Sequence, residues 1–461
     1  MIDLIDLGLK AINSLKNIED LQIEVFLTDT NVLSISMEKG SIRSAQSSID
    51  SGASIRVFWK KCTATAYTTA LDEQNVLRSA KNALSAAKAG KPDPLFTSLP
   101  EPKSLSNVTG IFDQNIESLS AQDSTSKVID AAKAAKIDDR IYSVNVFLAA
   151  GSQRLAVANS LGVACEEECT FFGVAANVVA KDKDDMSSGS ESKVSRTFKD
   201  VNPNIVAEIA AKSAIRSLNA KRINTTMTMP IVLNPKAAAT IIAGGLSVPL
   251  NADFVQRGRS YLCEKLGEEI GCDKLTVVDD GTLPGGLLST RFDAEGTPSQ
   301  RTMLVENGVL KNYIYDSYTA GIEKRESTGN CLRSGNNIGF GDYRVSPYIS
   351  ARNLVIAEGK GSEEDLISEV KEGILLCDTA DMPNFSTGEF SGLMAEAYKI
   401  ENGEIAYPIK QATIGISMLD FFKGIDAVGA DRKQLVTSGV DGSPKSVTAS
   451  TMRIKAARVA G

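Results

Sequence analysis

The chain has 461 residues, 43% of them hydrophobic and 23% charged, with a formal net charge of −7 and no histidine. Without histidine, a Ser-His-Asp triad, a Cys-His dyad and a His-Glu zinc helix are excluded within one copy of the chain. The acidic balance argues against a nucleic-acid or anionic-membrane surface, and the length suffices for two or three domains.

Residues 1–20 set Asp3, Asp6, Lys10 and Lys16 among apolar residues, the pattern of an amphipathic helix and not of a signal peptide. Leu21, Ile23, Val25 and Leu27 alternate with mostly polar residues and predict a strand; Leu33, Ile35 and Met37 repeat the pattern after Asp29-Thr30-Asn31, so a hairpin turning at 29–31 is expected. Ile55, Val57 and Trp59 alternate again. Val76, Leu77, Ala80, Ala83, Leu84 and Ala87 trace one face of a helix capped by Thr69 or Asp72 and stopped at Gly90. Residues 91–102 hold four prolines and read as a linker or an extended crossing. A second helix is predicted over 124–136, then strands over 141–150, 155–163 and 171–180. The stretch 181–193 is charged and Ser/Gly-rich and reads as an exposed loop. The one basic stretch, 181–199, is diluted by Asp and Glu. Asn202-Pro203 is a cap with proline at the first helical position, opening a helix to about residue 220.

Beyond 220 the texture changes. A strand over 229–233 leads through Asn234-Pro235 into a short apolar helix to Ile242, and many short strands with glycine turns follow. Asn307-Gly308 and Asn402-Gly403, each between apolar alternations, predict tight hairpins, because both turn positions need positive φ. One more helix is expected over 363–376. The fold class that results is α+β: an N-terminal α/β sheet-and-helix domain over 1–220, with the crossing at 91–102, and a mainly β C-terminal domain over 221–461, barrel-like or a curved sheet.

Few local motifs carry chemistry. The seven cysteines are scattered, with no Cys-x-x-Cys, and read as reduced thiols. No Walker loop is present, and Gly335, Gly339 and Gly341 read as a turn or lid. Ser-x-x-Lys matches such as Ser85/Lys88 and Ser190/Lys193 fall in a helix and a polar stretch, and no Gly-x-Ser-x-Gly elbow exists. Asp279-Asp280 and the pair Asp293/Glu295 are candidate carboxylate clusters, suited to a hard cation or, as surface acids usually are, to turns facing water.

Several segments nonetheless resemble one family. Residues 291–301, continuing through Val305-Glu-Asn-Gly-Val-Leu-Lys311 and Tyr315-Asp-Ser-Tyr-Thr-Ala320, resemble the central signature of the TldD/PmbA family, historically called modulators of DNA gyrase. Asn353-Leu-Val-Ile-Ala-Glu-Gly359, then Ile400-Glu-Asn-Gly403 with Tyr407-Pro-Ile409 and Ile425-Asp-Ala-Val-Gly429, resemble its later blocks, and 52–89 its N-terminal domain. The TldD branch carries a zinc helix, His-Glu-x-x-x-His, and a C-terminal cysteine ligand. Here those positions match Ala243, Gly244 and Val248, with the cysteine position near Ser438. That departure resembles the other branch, PmbA/TldE. The resemblance implies a subunit with no catalytic, cofactor-binding or metal residues of its own. It would complete the chamber of a zinc-bearing, TldD-like partner that cleaves short or unfolded peptides in the cytoplasm. A homodimer is open to the isolated chain; no nucleic acid or membrane is implied. Two alternatives stand beside it: an independent non-metal hydrolase using a serine or Asp279, Asp280, Asp293 and Glu295, and a regulatory protein binding gyrase.

Overall fold

A computed structural model of the chain describes residues 2–336, 339–379, 381–438 and 442–461. Residues 337 and 338 of the glycine-rich stretch 335–341, and the side chain of Ser438, lie outside the described residues.

Six long strands form the N-terminal sheet: β1 (Leu21–Glu38), β2 (Ser41–Trp59), β3 (Cys62–Thr68), β4 (Ile141–Asn159), β5 (Ala164–Asp182) and β6 (Asp185–Ser195), in the order β3-β2-β1-β4-β5-β6. Three boundaries differ from the sequence reading. Asp29-Thr30-Asn31 is no turn: β1 runs straight through it, pairing Asp29 with Ser51 and with Arg154 on its two sides, and the chain reverses at Lys39-Gly40 instead. Likewise 141–150 and 155–163 are parts of one strand and its exit turn, not two strands. The stretch 181–193 is no loop but the turn and edge strand of the β5–β6 hairpin. Its small residues serve close packing. A Cβ on Gly189 would meet the Ala210 carbonyl at 2.3 Å, and the Ser187 hydroxyl donates to the Ala214 carbonyl at 2.5 Å. Ser and Gly there let the helix Pro203–Arg216 lie directly on the strand.

All four longer N-terminal helices cover one face of this sheet. α1 (Leu4–Leu15) and α2 (Glu73–Lys88), capped by Asp3 and Asp72, pack on Ile23, Val25, Leu27, Ile55 and Val57. Ala121–Ala134 and Pro203–Arg216 pack on Ile35, Val146, Leu148 and Val174 further along the same face. Phe26, one residue out of phase, points the other way. With Val157 and Cys165 it packs against Phe292, Ala294, Cys331 and Tyr343 of the C-terminal half. The pleat of the strands thus decides which side receives helices and which receives the second half of the chain.

In the C-terminal half, Glu372–Thr379, Met227–Leu233, Met452–Ala460, Thr413–Ser417 and Glu389–Glu401 are neighbours in that order, and the first also pairs with the last. These five strands close into a barrel, whose sheet extends through Glu404–Lys410. A second, six-stranded sheet runs from the hairpin Arg301–Glu306/Val309–Leu310 to the edge strand Lys433–Ser438. Both Asn-Gly turns are left-handed at each residue: Asn307 and Gly308 at φ 49° and 81°, Asn402 and Gly403 at 52° and 82°. The predicted 363–376 helix stops at Ser368; Ile374, Leu375 and Leu376 instead pair in parallel with Ile231, Val232 and Leu233 at the barrel wall. The mixed α+β architecture and the barrel are as the sequence patterning leads one to expect. Among the described residues, no helix is long and apolar enough to cross a membrane. All seven cysteines are free.

Candidate functional site

The helix Pro235–Ile242 begins at Asn234, whose side chain accepts from the Ala237 N–H at 2.9 Å. It does not end at the Gly244-Gly245 pair but continues through one π-type turn, Ala243–Ser247. In an α-helix, positions five apart point about 140° away from each other; a turn bonded i→i+5 narrows that angle. The turn opens at position 243 and position 248 follows its end. The side chains there are Ala243 and Val248, 0% and 2% exposed. A Cβ on Gly244 would sit 2.6 Å from Pro383 Cδ, and one on Gly245 2.4 Å from Met418 Cε. Zinc, which the family resemblance associates with this position, does not fit it. Alanine, glycine and valine offer no lone pair, and the volume off Gly244 is taken by a proline ring. Among the described residues, no group of three or more Cys, Asp and Glu side chains is placed to share a metal ion.

The solvent-facing side of this helix forms the floor of a cleft of about 260 Å³, with Lys236, Ala239 and Thr240 in the lining. Glu191 and Ser192 of β6 stand on one side and Leu435, Val436 and Thr437 on the other. Each of these strands is the last in its sheet, so backbone N–H and C=O groups without a ladder partner border the cleft from both sides. Lys236 Nζ bonds Asp378 Oδ2 at 2.6 Å and reaches the Ser190 carbonyl at 3.4 Å. Burial works against its charge, but Asp378 holds the ammonium above its usual value. Burial also pushes Glu191 up, with Lys236 opposing. Over Glu191, Ser192 and Lys236 the cleft continues into a second hollow of about 430 Å³ on the helix-free face of the sheet, floored by Ser36, Asn145, Phe147 and Asn177.

The four carboxylates singled out in the sequence lie elsewhere. Asp279, Asp293 and Glu295 are 1–2% exposed, not turn acids facing water. Glu295 Oε1 accepts from Arg56 at 2.7 Å, and Arg56 also donates to Glu24 at 2.9 Å. Arg333 donates to the other oxygen of Glu24 and to the Ser54 hydroxyl. Asp293 accepts three backbone N–H groups, from Glu295, Thr297 and Cys331. Asp279 takes Asn330 Nδ2 at 2.6 Å and the Arg352 N–H at 2.7 Å. Asp280 turns the chain, accepting from the backbone and hydroxyl of Thr282. Burial raises Asp279 to about 6, and burial with the charge of Glu295 raises Asp293. Glu295 is buried too, but Arg56 holds it below its usual value. Of these acids Glu295 joins the two halves of the chain through Arg56, the other three are bonded within the C-terminal half, and none lines the cleft. Arg56, the partner of Glu295, and Glu24 and Arg333, which extend that pair, escaped the sequence reading: single charges among apolar residues carry no spacing signal.

Ser438 ends the strand on the cleft's far side, within one residue of Thr437 in the lining. The sequence reading singled out Ala243, Gly244 and Val248, in or directly after the turn that follows the floor helix, and Ser438 at the end of the strand Lys433–Ser438. It missed Lys236, Thr240 and Glu191, whose only signal was an exposed lysine and threonine one helical turn apart.

Comparison with known proteins agrees with this architecture. Three family models match in succession: PmbA/TldA metallopeptidase domain 1 over residues 23–87, the central domain over 114–218 and the C-terminal domain over 226–461. An uncharacterized protein of Methanocaldococcus jannaschii is 32% identical over 88% of this chain and 91% of its own length. A Haemophilus influenzae protein named metalloprotease PmbA homolog is 26% identical over 88% and 87%. Among solved structures, TldE from Thermococcus kodakarensis superposes with a TM-score of 0.88 at 22% identity, covering 99% of each chain. A Thermotoga maritima protein described as a modulator of a DNA gyrase gives 0.85 at 24%, covering 99% and 100%. The chain belongs to the PmbA/TldD metallopeptidase family.

Proposed function

We propose that this chain is a TldE-like, non-catalytic subunit of a peptidase that works on short or unfolded peptides, with metal and base supplied by a TldD-like partner. The observation that supports the reading is the π-type turn at Ala243–Ser247: the positions the family resemblance gives to zinc ligands and base are the buried Ala243, Gly244 and Val248, and a Cβ on Gly244 would already meet Pro383. The cleft beside it suits a peptide. Two open strand edges offer main-chain hydrogen bonds without regard to sequence, which is how an extended segment is held when its side chains vary.

The independent-hydrolase reading is disfavoured by where its acids lie. Asp279, Asp293 and Glu295 are 1–2% exposed and bonded to backbone N–H groups, Asn330 and Arg56, and none of them lines the cleft beside the helix. The gyrase-binding reading has no feature of the fold in its favour.

The test is reconstitution. The tag-free chain, alone and co-expressed with a TldD-like chain from the same genome, is assayed for zinc per chain and for hydrolysis of an unstructured peptide. The expected result is hydrolysis and zinc only in the pair. Chelator-resistant hydrolysis by the lone chain would sink the proposal.

A further inference from the structure

The hollow of about 430 Å³ that continues the cleft has an exposed aromatic ring in its floor. Phe147, on the inner strand β4, is 48% exposed. Its cross-strand neighbours are Ser36 on β1 and Ala175 on β5, and Ser192 on β6 lies beyond Ala175. In the row on one side, Ala149 faces Ser34 and Gly173. In the row on the other, Asn145 faces Asn177, and Asn177 faces Ser190. Serine, alanine and glycine are too short to cover the ring beside them. Single exposed apolar side chains are ordinary on a protein surface. This one stands inside a concave site that shares Glu191, Ser192 and Lys236 with the cleft.

Ser192, in the lining of the cleft, and Phe147 are two strand spacings apart, about 10 Å. An extended chain spans that in roughly three residues. Polar groups border the path. Asn145 Oδ1 accepts the Lys39 N–H at 3.1 Å, which fixes the carboxamide and leaves its Nδ2 to donate. Asn177, Ser190 and Ser192 are exposed beside it and can bond peptide N–H and C=O groups. A stable subunit interface carries a contiguous apolar core within ~800 Å² per partner. One ring among hydroxyls and carboxamides has instead the composition of a ligand pocket, an apolar contact with a few polar groups that fix orientation.

We infer that this hollow is a side-chain pocket of the peptide site and selects peptides with an aromatic residue, which packs on Phe147 about three residues beyond the segment held in the cleft, while Asn145 and Asn177 bond the adjacent peptide groups. The inference rests on the reading of the cleft as a peptide site. An aliphatic side chain would fill the same space, but a ring on a ring gains attraction beyond the area it buries.

The test is fluorescence anisotropy on the full chain, alone and paired with a TldD-like chain in the presence of chelator. The probes are short labelled peptides of Ala, Gln and Ser that differ at one central residue, Phe or Ser. The Phe peptide is expected to bind roughly tenfold tighter. Phe147→Ser should bring the two affinities within about twofold of each other. If that variant does not fold, Asn177→Trp, which fills the hollow from an exposed position, should do the same. Equal affinities for the two peptides, both weakened by Thr240→Arg in the cleft, overturn the pocket and leave the cleft standing. No binding of either peptide, by the pair or by the lone chain, overturns cleft and pocket together. A preference seen in the lone chain and lost in the pair means that the partner subunit fills the hollow, and it overturns the inference.

Discussion

Arg56 on β2 and Glu295, 239 residues later in the chain, are bonded at 2.7 Å with almost no exposure to solvent. The pair does not stand alone: the same guanidinium reaches Glu24, and Glu24 receives Arg333 from the C-terminal half. Two arginines and two glutamates from the two halves alternate, so each charge has an opposite on either side or at one end. Removing one member strands the others in a dry interface, which typically costs about 3–5 kcal/mol. Arg56→Ala is therefore expected to lower the urea-unfolding free energy by roughly that amount. Arg56→Met combined with Glu295→Met should cost less than the sum of the single changes. A loss below about 1 kcal/mol for Arg56→Ala, the range of an exposed pair, would mean that the pair does not hold the halves together.

Because the chain has no histidine, no side chain with an ordinary pKa titrates between pH 5 and 7. Any pH dependence of stability there reports displaced carboxyls. Burial raises Asp279 to about 6, and raises Asp293 and Asp316 in the same direction, with the charge of Glu295 adding to both. An acid whose folded pKa exceeds its unfolded value binds more protons when folded. Its contribution is fully present below the unfolded value near 3.8 and is lost as pH rises through the folded one. Unfolding free energy should therefore fall as pH rises from about 4 to about 7. Urea titrations at half-unit steps check this; a flat or rising curve above pH 5 contradicts it.

How much of this was legible beforehand follows from range. Asp72 and Asn234 announced their helices because a cap acts within three residues, and Asn307-Gly308 and Asn402-Gly403 announced their hairpins because positive φ is a local demand. Asp29-Thr30-Asn31 misled for the opposite reason: its turn chemistry is real but outweighed by continuous pairing on both sides. The 181–193 stretch misled because Ser and Gly mark either a loop or a close approach, and only the helix above Gly189 decides which. Asp293 and Glu295 drew notice as a loop feature, but the partner of Glu295, Arg56, is set by how two separate halves meet, and Cys331 reaches Asp293 from 38 residues away, which no short window of sequence contains.

Restoring the family's ligands should not restore a metal site. Gly244→Ala gains about 1 kcal/mol of helix propensity, yet its Cβ would lie 2.6 Å from the rigid Pro383 ring. The net change is expected to be destabilising by about 1–3 kcal/mol, the usual cost of overpacking. The triple variant Ala243→His, Gly244→Glu, Val248→His should lose more, since Ala243 and Val248 are 0% and 2% exposed and Gly244 is buried, leaving no room for two imidazoles and a carboxylate. The measurements are Tm and zinc per chain; a folded triple variant holding one zinc would show that the turn can open.

Filling the cleft should separate binding from stability. Thr240 lies on the cleft floor, one turn from Lys236, and its hydroxyl bonds only the Lys236 carbonyl of its own helix, at 3.0 Å. Thr240→Arg projects a long side chain between the two strand edges without entering the core, so its cost in stability should stay within about 1 kcal/mol. In the reconstituted pair, an extended peptide that runs along Leu435–Thr437 could no longer lie there, and hydrolysis of an unstructured peptide should fall at least tenfold, equivalent to about 1.4 kcal/mol. Lys236→Ala acts differently. It removes the ion-pair partner of Asp378 and the nearer of the cations acting on Glu191 and makes the cleft more acidic, so it should shift preference toward peptides rich in Lys and Arg and away from acidic ones. Paired assays on a basic and an acidic peptide read this out. Unchanged rates for both variants on both peptides would place the peptide somewhere other than this cleft.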